Sequence, residues 1–383
     1  MYIIRAKNDD DEFLVYSPYQ IDNGYAILGG IFNEEINKVA KLEFTVLKNH
    51  PARQSLWKLK TLIYLYDDGE LIFRGRIVEI TQDFETSMRY TCESDLAFLN
   101  DVEVQFTGGG SGSSSVNFED AFYAAVYGYN RQIGSYTDHA FSIGITNIFQ
   151  PTDKILMLGE DAGIQTALDV FFNWFVNPYG GWLKIRHLND NNFIDWVALP
   201  DVSEGSTPTN SQLISFESNI IDFEQYVDCS SVATVIYPYG AKRPTSGRYD
   251  ISSLTTGHVE YIEDTNASEL FGCRIVKIII YDTLTEPAEI LQCAERDLSL
   301  MILNSVSIDI SAVDLSLIDV NASKLQLGQS NRVLSLPHGI DGNFILQRRE
   351  INLSDPSKNR YIFGRKMKRL TDSMEYSKVI TRG

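Results

Sequence analysis

The amino-acid sequence predicts a mainly β protein with α/β parts (an α+β fold), in which two similar β-barrel units are interleaved with α/β segments. Three observations carry this. Aromatic residues make up 11% of the chain, with 20 Tyr and 20 Phe, and such side chains fit the pleated surface of strands. The first hundred residues alternate apolar and polar side chains between short turns, which is the period of half-buried strands. After a helix-patterned interval the strand pattern returns beyond Phe223.

Within residues 41–48, Leu42, Phe44 and Val46 alternate with polar neighbours, giving one buried and one wet face. Strands over 61–66 and 71–80 flank Asp67-Asp68-Gly69-Glu70. Asp-Gly supplies the positive φ of a tight hairpin, so these strands are expected to pair antiparallel. They belong to a first barrel, residues 1–104. The glycine–serine run from Gly108 to Ser115 reads as a flexible linker. Behind it, Asn117 is placed to cap a helix whose stripe is Phe118, Phe122, Ala125, Val126 and Tyr129. A second helix is predicted over 162–176, burying Ala167, Leu168, Phe171, Phe172 and Phe175. Strands over 182–186 and 193–197, with a turn at 189–192, complete an α/β unit spanning 105–222.

The second barrel is expected to be split into 223–282 and 325–366, with strands over 232–237, 274–281, 332–336, 343–350 and 360–363. Between its halves lies an α/β insertion, 283–324. Its helix starts near Pro287, where a missing N–H costs nothing, and presents Ile290, Leu291, Ala294, Leu298 and Met301 on one face. A strand over 306–310 follows. Residues 367–383 form a basic tail.

The formal charge is −18 over 383 residues, which repels polyanions and argues against nucleic-acid binding over a broad face. The charge is uneven. Residues 358–383 hold eight Lys/Arg and two Asp/Glu, a local +6 that leaves −24 for the rest. Such an end either clamps a neighbouring copy or acidic partner, or is simply solvated. No window approaches a membrane span, and the first residues lack the apolar run of a signal peptide. Cys92, Cys229, Cys273 and Cys293 form no C-x-x-C and have no His at ligand spacing. They read as buried free thiols of a protein assembled in a reducing cytoplasm.

No catalytic, cofactor-binding or metal-ligating residue is predicted. H-E-x-x-H and both phosphate-loop patterns are missing. The histidines His50, His139, His187, His258 and His338 are scattered, and only Asp138-His139 sets a carboxylate beside one. Gly109-Gly-Ser111-Gly-Ser113 lacks the closing glycine of a nucleophile elbow. Cys92 and Cys293 fall at core positions of a strand and a helix. Asp67 and Asp68 sit in a turn, where Asp is favoured for backbone reasons. Trp174, Trp182 and Trp196 are read as core residues, with a carbohydrate platform as the competing role.

Several stretches together resemble the prophage endopeptidase tail family, also called tail-associated lysins. They are Lys48-Asn-His-Pro51 with the run to Lys60, Leu65 to Arg76, Tyr127 to Gln132 with Phe141 to Gly144, and Gly180 to Arg186. Val235 to Gly240, Phe344 to Leu346, Glu350 to Leu353 and Phe363-Gly364 follow in the family's order. The resemblance implies a baseplate hub of the kind found in contractile-tailed phages, a virion tail-tip protein made in the host cytoplasm. Three chains, each with two barrels, then form a six-barrel ring. It sits against the six-fold tail tube or distal tail protein, with the tape measure protein's carboxy-terminal end as a further partner. The lytic module of family members is usually a carboxy-terminal extension, which is not expected within these residues. The competing readings are a peptidoglycan-degrading tail lysin and a host receptor- or carbohydrate-binding tail protein.

Overall fold

Period-two alternation organises the amino-terminal part of the computed structural model, which describes residues 1–105, 115–148, 154–156, 164–177, 180–188, 191–202, 205–227, 232–244, 246–282, 284–303 and 306–364. Strands β1 (Tyr2–Asn8), β2 (Asp11–Tyr16), β3 (Ile27–Glu35), β4 (Lys41–Val46), β5 (Leu62–Asp67), β6 (Glu70–Gln82) and β7 (Met88–Ser94) follow one another. In β4, Leu42, Phe44 and Val46 are buried as the alternation requires. β5 and β6 pair antiparallel across the predicted turn, with Asp68 at φ +51° and Gly69 at φ +88°. Those are the signs that a two-residue hairpin loop matched to the strand twist needs.

Beyond β7 the pattern becomes helical. Helix α1 (Phe118–Ile133) directly follows Asn117, which itself closes the short strand Ser115–Asn117. Strand β8 (Phe141–Thr146) comes next. Helix α2 (Ala167–Phe171) begins later than the sequence suggests. Thr166 is its cap, with Oγ1 accepting from Asp169 N at 3.1 Å, and Ile164–Thr166 is held extended against Glu103–Gln105. One π turn, Phe172–Val176, continues it. Strands β9 (Trp182–Leu188) and β10 (Asn191–Val197) form a hairpin, and β8 joins β10 in parallel. Phe122, Phe171, Phe175 and Trp196 fill the core between these helices and this sheet.

The carboxy-terminal half gives β11 (Ile214–Ser215), β12 (Ile220–Val227), β13 (Val235–Tyr239), β14 (Ile262–Glu263) and β15 (Val276–Ile280). Helix α3 (Pro287–Leu303) and strands β16 (Val306–Ala312), β17 (Ser330–Ser335), β18 (Ile340–Asn352) and β19 (Arg360–Phe363) complete it. Strands β13 and β15, patterned like barrel strands, pair with each other, β14 joins the other side of β13, and none of the three pairs with the large sheet. The cause is α3: its buried Ala294 and Leu298 pack on Ile236, Ile262 and Ile279, drawing those strands into a separate layer.

Apart from β8–β10, the remaining strands form one continuous sheet in the order β12-β16-β19-β18-β3-β4-β7-β6-β5-β1-β2, with β17 branching from β18 and β11 pairing with β17. The 13-residue β18 is the joint. Its first half pairs with β17, and its second half pairs with both β19 and β3. The sheet curls around two cores. One is centred on Phe32, Phe44 and Tyr90, the other on Ile310, Leu346 and Phe363. Ile351 and Leu353 of the carboxy-terminal half lie in the first core. The linker run 108–114, residues 189 and 190 of the predicted turn, Cys229 and the basic residues 365–383 lie outside the described residues.

Candidate functional site

Three parts of the chain meet at a cleft of about 690 Å³. Its walls come from β3, β6, the turn after β7, β9 and the segment 324–329. Burying charge between such layers is costly unless each charge is paired and hydrogen-bonded. Here they are. Arg349 on β18 pairs with Glu34 on β3 at 2.7 Å, fastening the two halves of the large sheet. Asp67, 3% exposed, holds Lys324 and the Met1 ammonium. Burial works against its charge, but these two cations hold its carboxyl below the usual range.

The joint to the α/β layer is an Arg–Asp–His cluster. Arg74 on β6 donates through Nη1 to Asp95 Oδ2 and through Nη2 to the Asp138 carbonyl at 2.7 Å. His187 on β9 brings Nε2 to 3.5 Å from the same Asp95 oxygen. Its Nδ1 lies 2.9 Å from Asn192 Oδ1. Asn192 donates its own amide to the carbonyls of Asp138 and Ala140. That fixes Asn192 Oδ1 as acceptor, so His187 Nδ1 carries the proton. Burial pushes the Asp95 carboxyl up, with Arg74 and His187 pulling it back, and burial pushes the His187 imidazole down.

A histidine beside a buried aspartate is also the arrangement of a catalytic dyad, so the destination of each ring nitrogen matters. His187 Nδ1 is spent on Asn192, and Nε2 is turned toward the Asp95 carboxylate inside the protein, 3.5 Å away. The cleft's serine, Ser94, accepts from Ala40 N at 3.1 Å and is not presented to the ring. Cation–acid pairs from separate elements instead lock three layers together.

The residues weighed from sequence are placed as follows. Asp138 turns its side chain toward Lys7 at 3.9 Å, while His139 stacks on Phe98 with ring centres 4.4 Å apart. Adjacency made no dyad there. His50 Nε2 donates to Val15 O at 2.8 Å, and its Nδ1 accepts from Ala52 N. His258 Nδ1 lies 3.1 Å from Ser252 O. His338 is bound to Ser335 and sits between Phe216 and Phe223. Cys92 is buried, with its thiol pushed up by burial; Cys293 is half-buried and Cys273 exposed, so both depart from the buried thiols expected, Cys273 fully and Cys293 in part. Trp196 is core, Trp174 packs against it, and Trp182 lines the cleft with Lys184 above its ring. Among the described residues no group of three or more His, Cys, Asp or Glu could hold a metal ion. No described helix is long and apolar enough to cross a membrane.

The buried histidines give a pH prediction. Burial lowers His50, His139 and His187 from their ordinary value of 6.5. Below that value the unfolded chain binds protons that the native state refuses, so stability falls as pH falls. Asp95, raised by burial, works in the opposite direction but as a single group. Thermal unfolding is therefore expected to move down by on the order of a few degrees between about pH 7.5 and 5.5. A midpoint that is flat or rises over that interval contradicts the burial of these rings.

With the geometry in place, comparison identifies the fold. Residues 207–374 match the family described as prophage endopeptidase tail. The resemblance seen in the sequence motifs holds. Three solved structures share the fold across nearly the whole chain. A tail protein from Neisseria meningitidis MC58 is 13% identical with a TM-score of 0.60, covering 95% of this chain and 97% of that one. The 43 kDa tail protein of prophage MuSo2 from Shewanella oneidensis is 10% identical with a TM-score of 0.62, covering 96% and 98%. Prophage tail protein gp18 from Listeria monocytogenes EGD-e is 14% identical with a TM-score of 0.61, covering 99% of each. No curated protein matches in sequence.

Proposed function

We propose that this chain is a structural, non-enzymatic component of a phage or prophage tail. In this reading it is the hub at the tail tip, where three copies close a ring against the six-fold tube or distal tail protein. The end-to-end fold likeness to three tail proteins, joined to the family match over 207–374, carries the reading. The architecture supports it. One continuous sheet curls around two separate cores, so each copy offers two strand-rich units, and three copies offer six. The cleft supports it too, because its charged residues are spent on rigidity. A part that transmits load along a tail needs layers that do not slide. The tape measure protein's end is a further partner in this reading, and the site is the virion tail tip.

The expected result is a C3 trimer of about 130 kDa, three times the 43.3 kDa chain. Light scattering over a concentration series, with and without the distal tail protein, measures it, because a ring partner stabilises a weak trimer by mass action. A chain that is monomeric in both conditions, or forms a two-fold dimer, defeats the hub reading. The receptor-binding alternative would then take its place.

A further inference from the structure

Strand β9 leaves one of its edges open inside the cleft. In the sheet β8-β10-β9 it is the last strand, paired among the described residues with β10 alone. Leu183 N donates to Asn37 Oδ1 at 2.9 Å, and Asn37 Nδ2 donates to Gly181 O at 2.8 Å. The Asn37 amide thus stands in for one peptide group of a neighbouring strand. It also fixes the direction of the backbone. With period two, Leu183, Ile185 and His187 aim their N–H and C=O away from β10, and Lys184 and Arg186 aim theirs toward it. Past Asn37 the ladder stops. The Leu183 carbonyl, both Ile185 groups and the His187 N–H have no hydrogen-bond partner among the described residues, and all three residues line the cleft. Backbone groups in a partly enclosed place are costly to leave unpaired, and an open strand edge is a template for a further strand.

We propose that this edge takes one extended segment of another polypeptide, acidic at alternate positions, as an added strand. Shape sets the first part. The edge runs inside a cleft of about 690 Å³ walled by β3, β6 and the segment 324–329. What pairs with it must enter between layers, as a lone extended chain does and the rim of a second folded copy does not. Charge sets the second part. Along the cleft Lys and Arg outnumber Asp and Glu six to four, in a chain where the acids lead 51 to 33. Lys184 and Arg186 stand on one face of β9 as alternate strand residues. The Lys184 ammonium lies over the Trp182 ring, 4.7 Å from its centre, with no carboxylate paired to it among the described residues. Arg186 spends Nε and Nη2 on Asp195 and keeps Nη1. Glu70, the one acid of the cleft without a cation among the described residues, belongs to the opposite wall at the start of β6. Carboxylates at alternate positions of an added strand would meet Lys184 and Arg186 across the new ladder, where opposite charges on neighbouring strands stabilise each other. The inference goes beyond the hub reading and needs no trimer.

The test uses the full chain and a short fluorescent peptide alternating glutamate with valine. Two controls accompany it, the same peptide with lysine for glutamate and the same peptide methylated on its backbone nitrogens. Fluorescence anisotropy should show saturable binding of the acidic peptide. Both controls should bind more weakly by about tenfold or more, one for loss of the charge pairing and the other for loss of the ladder donors. Hydrogen exchange should show fast Ile185 and His187 amides in the free chain that slow when the acidic peptide binds. The amides of Lys184 and Arg186, which face β10, should stay slow throughout. Lys184→Glu should weaken binding by about tenfold with an unchanged unfolding midpoint; if that variant unfolds, the two control peptides still decide. The inference is overturned by an absence of saturable binding, by equal binding of either control, or by slow Ile185 and His187 exchange in the free monomer. Protection of these amides that appears only as copies associate also overturns it, because the occupant is then a second copy. Binding to a chain that never forms a trimer upholds the inference while the hub reading falls.

Discussion

Replacing Arg74 by methionine is expected to destabilise the chain by about 3–5 kcal/mol, the cost of breaking a buried ion pair from one side. Arg74 is 7% exposed and Asp95 1%. Without the guanidinium, Asp95 keeps only His187 at 3.5 Å, and its Oδ1 already has no hydrogen-bond partner in the structure. An unpaired carboxylate there must stay charged in a poor medium or take up a proton. The loss should therefore shrink as pH falls, because protonation removes the uncompensated charge. A second substitution, Asp95→Asn, should restore part of the stability. It converts a stranded charge into a neutral amide that can still meet His187 and Arg74's former space. Urea unfolding of the two single variants and the double variant measures this. If Arg74→Met costs less than about 1 kcal/mol, or if Asp95→Asn adds its full cost on top, the pair is not the joint described here.

Strand alternation and turn chemistry made much of the fold legible. Leu42, Phe44 and Val46 faced inward as their spacing required, Asp68-Gly69 turned the hairpin, and Leu298 buried the predicted face of α3. These signals are local, carried by neighbours within one element. Pairing partners are not. Nothing in Val235 to Tyr239 distinguishes a strand bound for the large sheet from one drawn away by α3, since both bury Ile236. The same limit hid the cleft. Arg74, Asp95 and His187 are 21 and 92 residues apart along the chain, each unremarkable in its own segment, and only the packing of three layers brings them together. Conversely, Asp138-His139, conspicuous by adjacency, is split by geometry, because successive side chains leave the backbone in different directions. Glycine gave a further hidden signal. A Cβ on Gly144 would lie 1.7 Å from Asp195 Oδ1, so this glycine in the Phe141–Gly144 motif leaves room for the buried carboxylate that binds Arg186 and Ile145 N.

Trp196→Ala should cost about as much as the loss of Arg74, roughly 3–5 kcal/mol, but through packing instead of charge. Trp196 is 2% exposed and fills the centre of the α/β core. Its ring lies parallel to Phe122 with centres 5.9 Å apart, and meets the edge of Phe175 at 5.3 Å. Truncation therefore removes two aromatic contacts and opens a cavity that these flat rings are poorly shaped to refill. It also strands the Gly180 carbonyl, which accepts from Trp196 Nε1 at 3.0 Å. Trp196→Phe separates the two contributions. It keeps most of the ring stack and loses the indole N–H, so about 1–2 kcal/mol is expected. Because the chain has several cores, near-ultraviolet circular dichroism should be followed alongside far-ultraviolet signal, and the aromatic transition should move first. If alanine at 196 leaves that transition in place, the tryptophan is not buried among Phe122 and Phe175, and the carbohydrate-platform reading of this residue returns.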